Sequence, residues 1–334
     1  AILLAVSFYL PLVSAEQVND DALGFGEHGS GQKADLAEES ANQLVVFKDQ
    51  QIPAGVTDLL AERFPEVEVT QVMEIGMLKL HGSRRVTESV DELEREFGDA
   101  IDSIGPEQKL TVPSLPQVDK LANSATDRLG VNAFSRNAAP IHDSFRRPER
   151  PDPGEEVSVT DAVYYEWFGW DIQKVTDDGK SFEIETGNHK VKIAVIDSGI
   201  DFHHPDLQAN IISSGRSFVP GVSDTQDRMG HGTMTAGAIA ANGAMLGVGP
   251  NLGLVPYKVM ENAEDGAESA WVIQAIIQAA IDGADVINVS LGTYKSLRSL
   301  EDRVIVKAYE LAVKFAAKRG AIVVASAGND GLDL

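Results

Sequence analysis

The sequence predicts an α/β fold in which a parallel sheet carries helices on both faces. Short apolar, β-branched runs occur at Val191–Ile196, Leu254–Val259, Ala284–Ser290 and Ala321–Ala325. Such runs, bounded by turn residues, are typical of fully buried parallel strands. Longer helical patterns separate them, and this alternation is the arrangement of right-handed βαβ units.

The helical patterns have clear beginnings and ends. A helix is expected to open at or just after His231, because small residues follow it at helical spacing. Ser269 can cap a second helix, whose apolar residues share one face. Residues 301–318 predict a third helix, and Gly320 is placed to stop it.

Residues 43–113 predict a smaller α+β unit ahead of the parallel sheet. Its strand and helix candidates follow the order β-α-β-β-α-β, which is the ferredoxin-like split βαβ motif. The order is also typical of small ligand-binding modules, so it defines no role by itself. In chain order the candidates are Leu44–Lys48, a helix from Pro53 through Phe64, Val67–Val72, Ile75–Leu80, a helix over Val86–Phe97, and Lys109–Val112 as the closing strand.

The segments around these units have the composition of targeting and linker sequences. Residues 1–15 are apolar and end in Val13-Ser14-Ala15, which fits the cleavage site of a signal peptide. A membrane-spanning helix would need about 20 apolar residues, and this run is shorter. Residues 16–42 predict an acidic linker. Residues 114–160 predict an inter-domain linker, whose basic run Phe145–Arg150 is either a processing site or simply solvated.

Composition excludes several kinds of site and partner. The chain has 334 residues, 43% of them hydrophobic, which is ordinary for a globular protein with two domains. It has no cysteine, so it forms neither a disulfide nor a thiolate metal site. Its net charge of −23 argues against a nucleic acid partner. The acidity is consistent with cationic substrates and equally with solubility alone.

Two residues at the ends of predicted elements have the chemistry of a catalytic pair. Asp197 directly follows the first strand of the sheet, at the edge where α/β proteins bind ligands. His231 stands at the expected start of a helix. An acid and a histidine in these places suit the orienting group and the base of a nucleophilic relay. Taken singly, each is as well explained by a turn or a structural role, but DSG together with HGT favours catalysis.

Four motifs carry a resemblance to a known family. They are DSGIDFHHPDL, GHGTMTAG, NVSLG and SAGNDG, in that order, and they lie between about Ala162 and the last residue. Together they resemble the subtilisin-like serine peptidases, or subtilases. Three finer features resemble the branch of lantibiotic leader peptidases: the segment Gly169–Phe182, Met234 after His-Gly-Thr, and VPYKV at Val255–Val259.

The resemblance implies a role for each catalytic candidate. His231 would take the proton of a serine hydroxyl and return it to the leaving amine. Asp197 would hold the imidazole in the useful tautomer and stabilise its cation. Asn329 would donate its side-chain amide to the tetrahedral oxyanion.

The resemblance also places substrate-binding residues. Ser290, Leu291 and Gly292 would present a backbone edge that pairs with an extended peptide. In the segment that forms another wall of the family's substrate cleft, this chain has an acidic group. We hypothesise that it favours a basic substrate residue near P2 or P4, and a solvated acidic loop is the alternative. The group comprises Glu261, Glu264, Asp265 and Glu268.

The nucleophile of the resembled family has no counterpart in this sequence. The family's serine lies in a Gly-Thr-Ser-x-Ala-x-Pro segment downstream of the oxyanion asparagine, and no such segment occurs. Ser198, Ser290 and Ser326 belong to motifs with other roles. The catalytic domain, residues 161–334, is therefore expected to be truncated at its C-terminus and not to hydrolyse peptides by itself.

No cofactor is assigned from the sequence. Subtilisins hold calcium through a loop that is longer than residues 241–250 of this chain. Asp206 matches one ligand, but a single carboxylate is weak evidence for a cation that takes about 6–8 oxygen ligands. No metal-ligating residue is therefore predicted, and calcium stays an open alternative.

Taken together, these features predict the precursor of a secreted serine endopeptidase. Residues 43–113 would be a propeptide that inhibits its own chain, with Leu110–Pro113 on the non-prime side of the substrate cleft. The enzyme would be a monomer that acts on peptide or protein substrates outside the cell, with association to the cell wall left open. A dedicated lantibiotic leader peptidase, a broad-specificity extracellular protease and a catalytically dead peptide-binding homologue remain alternatives.

Overall fold

The computed structural model describes residues 42–111, Tyr165, residues 169–292 and residues 299–327. The predicted signal peptide, the linker over 114–160 and Asn329 lie outside these ranges. None of the described helices has the length and apolar composition that a bilayer crossing requires.

The strands are β1 (Gln43–Phe47), β2 (Glu68–Val72), β3 (Met77–His81), β4 (Ile101–Pro106), β5 (Lys109–Leu110), β6 (Lys192–Asp197), β7 (Arg216–Ser217), β8 (Gly253–Lys258), β9 (Ala267–Glu268), β10 (Val286–Val289) and β11 (Ile322–Ala325). The helices are α1 (Val56–Arg63), α2 (Val86–Phe97), α3 (Trp170–Val175), α4 (His231–Ala240), α5 (Ser269–Ile281) and α6 (Leu300–Lys318).

The small unit has the predicted ferredoxin-like order of elements. The succession β1-α1-β2-β3-α2-β4 forms an antiparallel sheet in the order β2-β3-β1-β4. Alternate residues of a strand point to opposite faces of its sheet. Val45 and Phe47 of β1 accordingly pack with Leu60 of α1 and Leu93 of α2, so both helices cover one face.

The strand that closes the small unit differs from the prediction. β4 closes it by pairing with β1. The prediction of Lys109–Val112 in that place is wrong, because Lys109 and Leu110 form β5, which pairs with β9 of the larger unit. The sequence IDSIGP of β4 mixes apolar residues with Asp, Ser, Gly and Pro, so its strand pattern is weak.

The larger unit is built on a five-stranded sheet in the order β11-β10-β6-β8-β7, with every strand parallel. On one face, Ile193 and Val195 of β6 pack against α4 through Ala236. On the other face, Ala194 and Ile196 share a buried cluster with residues of α5 and α6. The predicted class, a parallel sheet with helices on both faces, is confirmed.

A glycine allows α4 to approach the end of β6. A Cβ at Gly232 would overlap the carbonyl oxygen of Gly199 and lie 3.1 Å from the Cβ of Asp197. Gly237, on the same helix, has open space where its Cβ would be. The short distance between the start of α4 and the end of β6 therefore depends on the missing side chain at position 232.

The two units share one apolar core. Leu44 and Val46, on the second face of the small sheet, belong to the same buried cluster as Val304 and Ala308 of α6. Charged groups cross the same interface, since the Lys79 ammonium of β3 pairs with a carboxylate of β9. The small unit is thus packed on the helices α5 and α6 and is not an independent body.

Ser269 joins the two units and is not the cap of α5, so its predicted capping role is wrong. Glu268 occupies the N-cap position and makes no side-chain capping bond. The amide and the hydroxyl of Ser269 both donate to the carbonyl oxygen of Gln108, at 2.8 and 2.7 Å. The small unit thereby satisfies donors at the start of a helix in the larger unit.

We expect Gly232→Ala to destabilise the chain, because the added methyl group would meet backbone atoms. Overpacking of this kind typically costs about 1–3 kcal/mol. Thermal and denaturant unfolding, followed by circular dichroism, measure the change. Gly237→Ala is the matched control, since it adds the same group to the same helix in open space and should stabilise by up to about 1 kcal/mol. Equal effects of the two substitutions would contradict the packing argument.

Candidate active site

Asp197 and His231 meet at the carboxyl end of the parallel sheet. Asp197 is the last residue of β6 and is fully buried, and His231 is the first residue of α4. The imidazole Nδ1 lies 2.8 Å from Oδ1 and 2.9 Å from Oδ2 of the carboxylate. The predicted contact between the two side chains is confirmed. Because Nδ1 is engaged, Nε2 is the ring nitrogen left for proton transfer.

The turn after β6 fixes the carboxylate. The amide of Ser198 donates to Oδ1 of Asp197 at 2.7 Å. Gly199 has a φ of +107°, and a Cβ there would overlap the carbonyl oxygen of Thr225. Glycine satisfies both conditions because it lacks a Cβ. The shape of this turn therefore requires the glycine of the Asp-Ser-Gly sequence.

The surroundings of His231 raise the pKa of its imidazole. The hydrogen bond to Asp197 is the main cause, and it outweighs partial burial, which acts to lower the pKa. The negative charges of Asp197 and Asp227 act in the same direction as the hydrogen bond. The protonated ring, which a general base must hold during a reaction, is stabilised as a result.

Asp227 organises the first turn of α4, and the sequence analysis does not single it out. Its carboxylate accepts hydrogen bonds from the amides of Met229, Gly230 and Thr233, each at 2.9 Å, and from the Thr233 and Ser198 hydroxyls, at 2.6 and 2.9 Å. Burial acts to raise the pKa of this carboxyl, but the hydrogen bonds outweigh it, so the pKa is lowered. An acidic residue just ahead of a helix start is a capping signal and could have identified it.

Lys258 is the second residue of the site that the sequence analysis does not single out. Its ammonium donates to the carbonyl oxygens of Ser198 and Gln226, at 2.8 and 2.9 Å, and lies 2.7 Å from the Glu261 carboxylate. The lysine is fully buried at the end of β8, beside Asp197 in register. It joins the turn after β6 to the loop before α4. A lysine within the apolar strand VPYKV is the signal that could have found it.

Gly292 presents the backbone edge that was predicted for it, and a segment of the small unit occupies that edge. The Gly292 amide donates to the carbonyl oxygen of Thr111 at 3.2 Å, and the Thr111 amide donates back at 3.3 Å. Leu291 is buried, and the hydroxyl of Ser290 accepts from the Asn288 side chain at 2.9 Å. Substrate binding by these three residues stays a prediction.

Two of the four residues in the predicted acidic group are engaged by basic residues of the same chain. Glu261, besides its contact with the buried lysine of β8, pairs with Arg228 at 3.2 Å. Glu268 pairs with Lys79 of the small unit. Asp265 is exposed. A preference for basic residues in a substrate therefore stays a prediction, and Glu268 would be open to a substrate only when Lys79 has left it.

Asp206 braces a loop. Its Oδ2 accepts the amide of Met245 at 3.0 Å, and its carbonyl oxygen accepts the amide of Asn242 at 2.8 Å. Within the described ranges, no group of three or more histidine, aspartate or glutamate side chains is placed to hold a metal ion. The hydrogen bonds give Asp206 a structural role.

Asn329 lies outside the described residues, so its predicted role in binding an oxyanion stays a prediction. Ser198 is a poor nucleophile candidate, because it is fully buried and its hydroxyl is committed on both sides. It donates to Asp227 and accepts the amide of Gly232, each at 2.9 Å.

Comparison with known proteins identifies the larger unit. Residues 188–333 match the sequence model of the subtilase family, Peptidase S8. The chain therefore carries a peptidase S8 subtilase domain, with the subtilisin-like α/β fold. The structure is similar to the crystal structure of the epidermin leader peptide-processing serine protease EpiP from Staphylococcus aureus. That match has a TM-score of 0.62 and 25% identity, and it covers 88% of this chain and 61% of the other.

Two curated relatives have related names. The chain is 37% identical over 190 residues to the epidermin leader peptide-processing serine protease EpiP of Staphylococcus epidermidis. It is 36% identical over 185 residues to the nisin leader peptide-processing serine protease NisP of Lactococcus lactis subsp. lactis. The alignments cover 49% and 50% of this chain, but only 39% of EpiP and 27% of NisP. The chain thus spans well under half the length of either relative.

We expect Asp197→Asn to lower the pKa of His231, because the substitution removes the carboxylate charge and leaves a single neutral acceptor oxygen. In the native chain the folded-state pKa of His231 lies above its unfolded value. The associated stabilisation is therefore full below the unfolded pKa and is lost as pH rises through the folded pKa. NMR titration of the histidine rings measures the pKa, and denaturant unfolding over about pH 5 to 9, around the ordinary histidine pKa, measures the stability.

The other histidines of the chain are the internal control for this experiment, and their titrations should not change. In Asp197→Asn the loss of stability with rising pH should disappear together with the elevated pKa. An unchanged titration of His231 would show that the hydrogen bond does not govern its pKa.

Proposed function

We propose that the chain is the N-terminal part of the precursor of a secreted subtilisin-like serine endopeptidase. The hydrogen bond between the buried Asp197 carboxylate and Nδ1 of His231, at the carboxyl end of the parallel sheet, carries this proposal. The subtilase domain over residues 188–333 and the similarity to two serine proteases support it.

In this proposal His231 is the general base and Asp197 orients it. Nε2 takes the proton of a serine hydroxyl as the serine oxygen bonds to the carbonyl carbon of the scissile peptide. The imidazolium returns that proton to the amide nitrogen, the C–N bond breaks and the amine leaves. Water then attacks the acyl-enzyme, gives its proton to Nε2, and the serine leaves with that proton. Asn329 would donate its amide to the oxyanion in both halves.

The serine of this mechanism is proposed to come from a segment outside the 334 residues. The sequence contains no Gly-Thr-Ser-x-Ala-x-Pro segment. The hydroxyl of Ser198, the serine that follows the catalytic aspartate, is held by Asp227. A test of hydrolysis therefore requires a longer chain that includes the missing segment.

We further propose that residues 43–113 are an inhibitory propeptide. Lys109 and Leu110 pair as β5 with β9, and Thr111 pairs with Gly292. This segment of the small unit thus runs between two backbone edges of the larger unit, as an extended substrate would. Leu110 is 4% exposed and belongs to the same buried cluster as Leu291. A pocket that takes a leucine favours an apolar substrate side chain at the corresponding position.

Contacts outside this strand support an inhibitor that is firmly held. The Glu107 carboxylate accepts the amide of Ala270 at 3.2 Å, at the positive N-terminal end of α5. Burial raises the pKa of Glu107, and the nearby Lys79 acts against that rise. The Gln108 side chain donates to Asp302 of α6 at 3.0 Å. Each of these contacts joins the small unit to a helix that packs on the parallel sheet.

Export and substrate complete the proposal. The apolar run at residues 1–15, with its small residues at positions 13 to 15, supports a signal peptide and secretion. The names of EpiP and NisP support lantibiotic leader peptides as the substrates. A broad-specificity extracellular protease is the runner-up, because the apolar pocket around Leu110 would accept many substrates.

We expect a longer chain that includes the serine segment to cleave a chromogenic peptide and to be labelled by a fluorophosphonate. Asp197→Asn should lower kcat by about 10⁴-fold, because the imidazole loses its orienting partner. His231→Ala should be at least as damaging. His203→Ala is the matched control, since this histidine is exposed and its amide bonds to Asp201. Hydrolysis that survives both substitutions at the pair would rule out the proposed roles.

The same enzyme discriminates between the candidate substrates. Cleavage of a lantibiotic precursor at its leader, without digestion of casein, supports a leader peptidase. Digestion of casein at a similar rate supports the broad-specificity alternative. A longer chain that contains the serine segment and binds peptides without cutting them would overturn the enzymatic proposal.

We expect Leu110→Asp to free the edge at Gly292, because a carboxylate cannot stay in the apolar pocket without a large cost of burial. In the 334-residue chain, hydrogen exchange at the Gly292 amide should become faster, since its acceptor is the Thr111 carbonyl oxygen. Lys109→Ala, at the exposed neighbouring position, is the control and should leave that exchange unchanged. If the Gly292 amide stays equally protected from hydrogen exchange in Leu110→Asp, the proposed docking of the propeptide strand is wrong.

A further inference from the structure

His231 is held through the amides on either side of it. The Gly230 amide donates to Oδ1 of Asp227 at 2.9 Å, and the Gly232 amide donates to the Ser198 hydroxyl, also at 2.9 Å. The Ser198 hydroxyl in turn donates to Oδ1 of Asp227 at 2.9 Å. One carboxylate thus fixes both backbone neighbours of His231, one directly and the other through a single hydroxyl.

The same carboxylate connects the strand end to the helix start. Ser198 directly follows Asp197, and its amide donates to the Asp197 carboxylate at 2.7 Å. Thr233 donates to Oδ2 of Asp227 through its amide, at 2.9 Å, and through its hydroxyl, at 2.6 Å. The Thr233 hydroxyl also accepts the amide of Asp201 at 2.9 Å, from the chain that leaves β6. The two loops therefore share one set of hydrogen bonds.

A buried cation, the ammonium of Lys258, also connects these two loops. The ammonium of Lys258 bridges the carbonyl oxygens of Ser198 and Gln226, and Gln226 directly precedes Asp227. Lys258 is fully buried, and Asp227 is 9% exposed. Hydrogen bonds of charged groups in such a place are stronger than those between neutral groups, because water does not compete for them.

We propose that Asp227 is a positioning residue, which sets the place of the His231 imidazole relative to the Asp197 carboxylate without touching the substrate. Five hydrogen bonds converge on it, whereas a helix cap needs only one or two. Its negative charge is also among the causes that raise the pKa of His231. The expected effect on turnover rests on the proposed function. The expected effect on the geometry of Asp197 and His231 does not depend on it.

Asp227→Asn tests the proposal with almost no change of shape. The asparagine side chain retains one acceptor oxygen. Its NH₂ group replaces the second oxygen and faces donors that then lack an acceptor. In the longer, active chain we expect kcat to fall by about 10²-fold, as for a displacement of about 1 Å in a catalytic group. KM should stay within about twofold, because the proposal gives Asp227 no contact with the substrate.

The 334-residue chain gives a readout that does not depend on hydrolysis. In Asp227→Asn the NMR titration of His231 should move to a lower pKa, and the chemical shift of its Nδ1 proton should change. Asp224→Asn is the matched control, because Asp224 is an exposed acid of the same loop that pairs with Arg228 and not with α4. The control should leave the His231 signals and kcat as in the parent.

A second pair of variants keeps the proposal testable if Asp227→Asn does not fold. Thr233→Val removes one donor to Asp227 while it keeps the side-chain shape, and Thr233→Ser restores the hydroxyl. We expect Thr233→Val to lower kcat and to shift the His231 signals, and Thr233→Ser to return both toward the parent. A role in stability alone would lower Tm in Thr233→Val and leave kcat and the His231 titration unchanged.

The outcomes separate this proposal from the proposed function. Normal kcat and a normal His231 titration in Asp227→Asn, in a chain that hydrolyses peptides, would overturn the positioning role and leave the function standing. A shifted His231 titration in a chain whose longer form does not hydrolyse peptides would overturn the function and support the positioning role.

Discussion

The site depends on one hydrogen bond between two side chains that lie 34 residues apart in the chain. A parallel sheet brings strand ends and helix starts to the same edge, but only to within several ångströms. Two further features shorten that distance in this chain. Gly232 removes the side chain that would keep α4 away from β6, and Gly199 allows the turn between them to fold back. The position of His231 is thus a matter of backbone packing before it is one of catalysis.

Buried charged groups maintain this arrangement. Asp227 gathers donors from the helix start, and Lys258 gathers carbonyl oxygens from the two loops around it. Each group is satisfied by several hydrogen bonds, which offsets the cost of placing a charge inside the protein. Removing either group would leave its partners buried and unpaired, so the loops depend on both charges.

The sequence predicted those parts of the fold that depend on local pattern. β6, β8 and β10 are predominantly apolar because both of their faces are covered, and such runs are visible in the sequence alone. β4 was missed because its apolar residues are interrupted by Asp102, Ser103 and Gly105. Lys109 and Leu110 looked like the end of the small sheet, because nothing in their sequence reveals that their partner strand lies in the larger unit.

The catalytic candidates show the same division. Asp197 and His231 were predicted because their residue types carry the chemistry and stand beside distinctive glycines. Asp227 and Lys258 were not, because an aspartate or a lysine acquires its role only from the groups that fold around it. Those groups come from separate loops, so the position of Asp227 ahead of a helix and of Lys258 in an apolar strand can mark the two residues but does not indicate which groups they hold. Ser269 illustrates the converse, since a strong local signal for a cap was overridden by a contact from the other unit.

If the small unit is the propeptide proposed above, the apolar cluster beneath β1 affects how the enzyme would be released from it. Leu44 and Val46 pack with Val304 and Ala308, so separating the two units would expose apolar surface on each of them to water. Cutting the tether between them would not change that surface. After cleavage the small unit would remain bound as a noncovalent subunit. Its dissociation or digestion, more than the cleavage itself, would determine when the cleft opens.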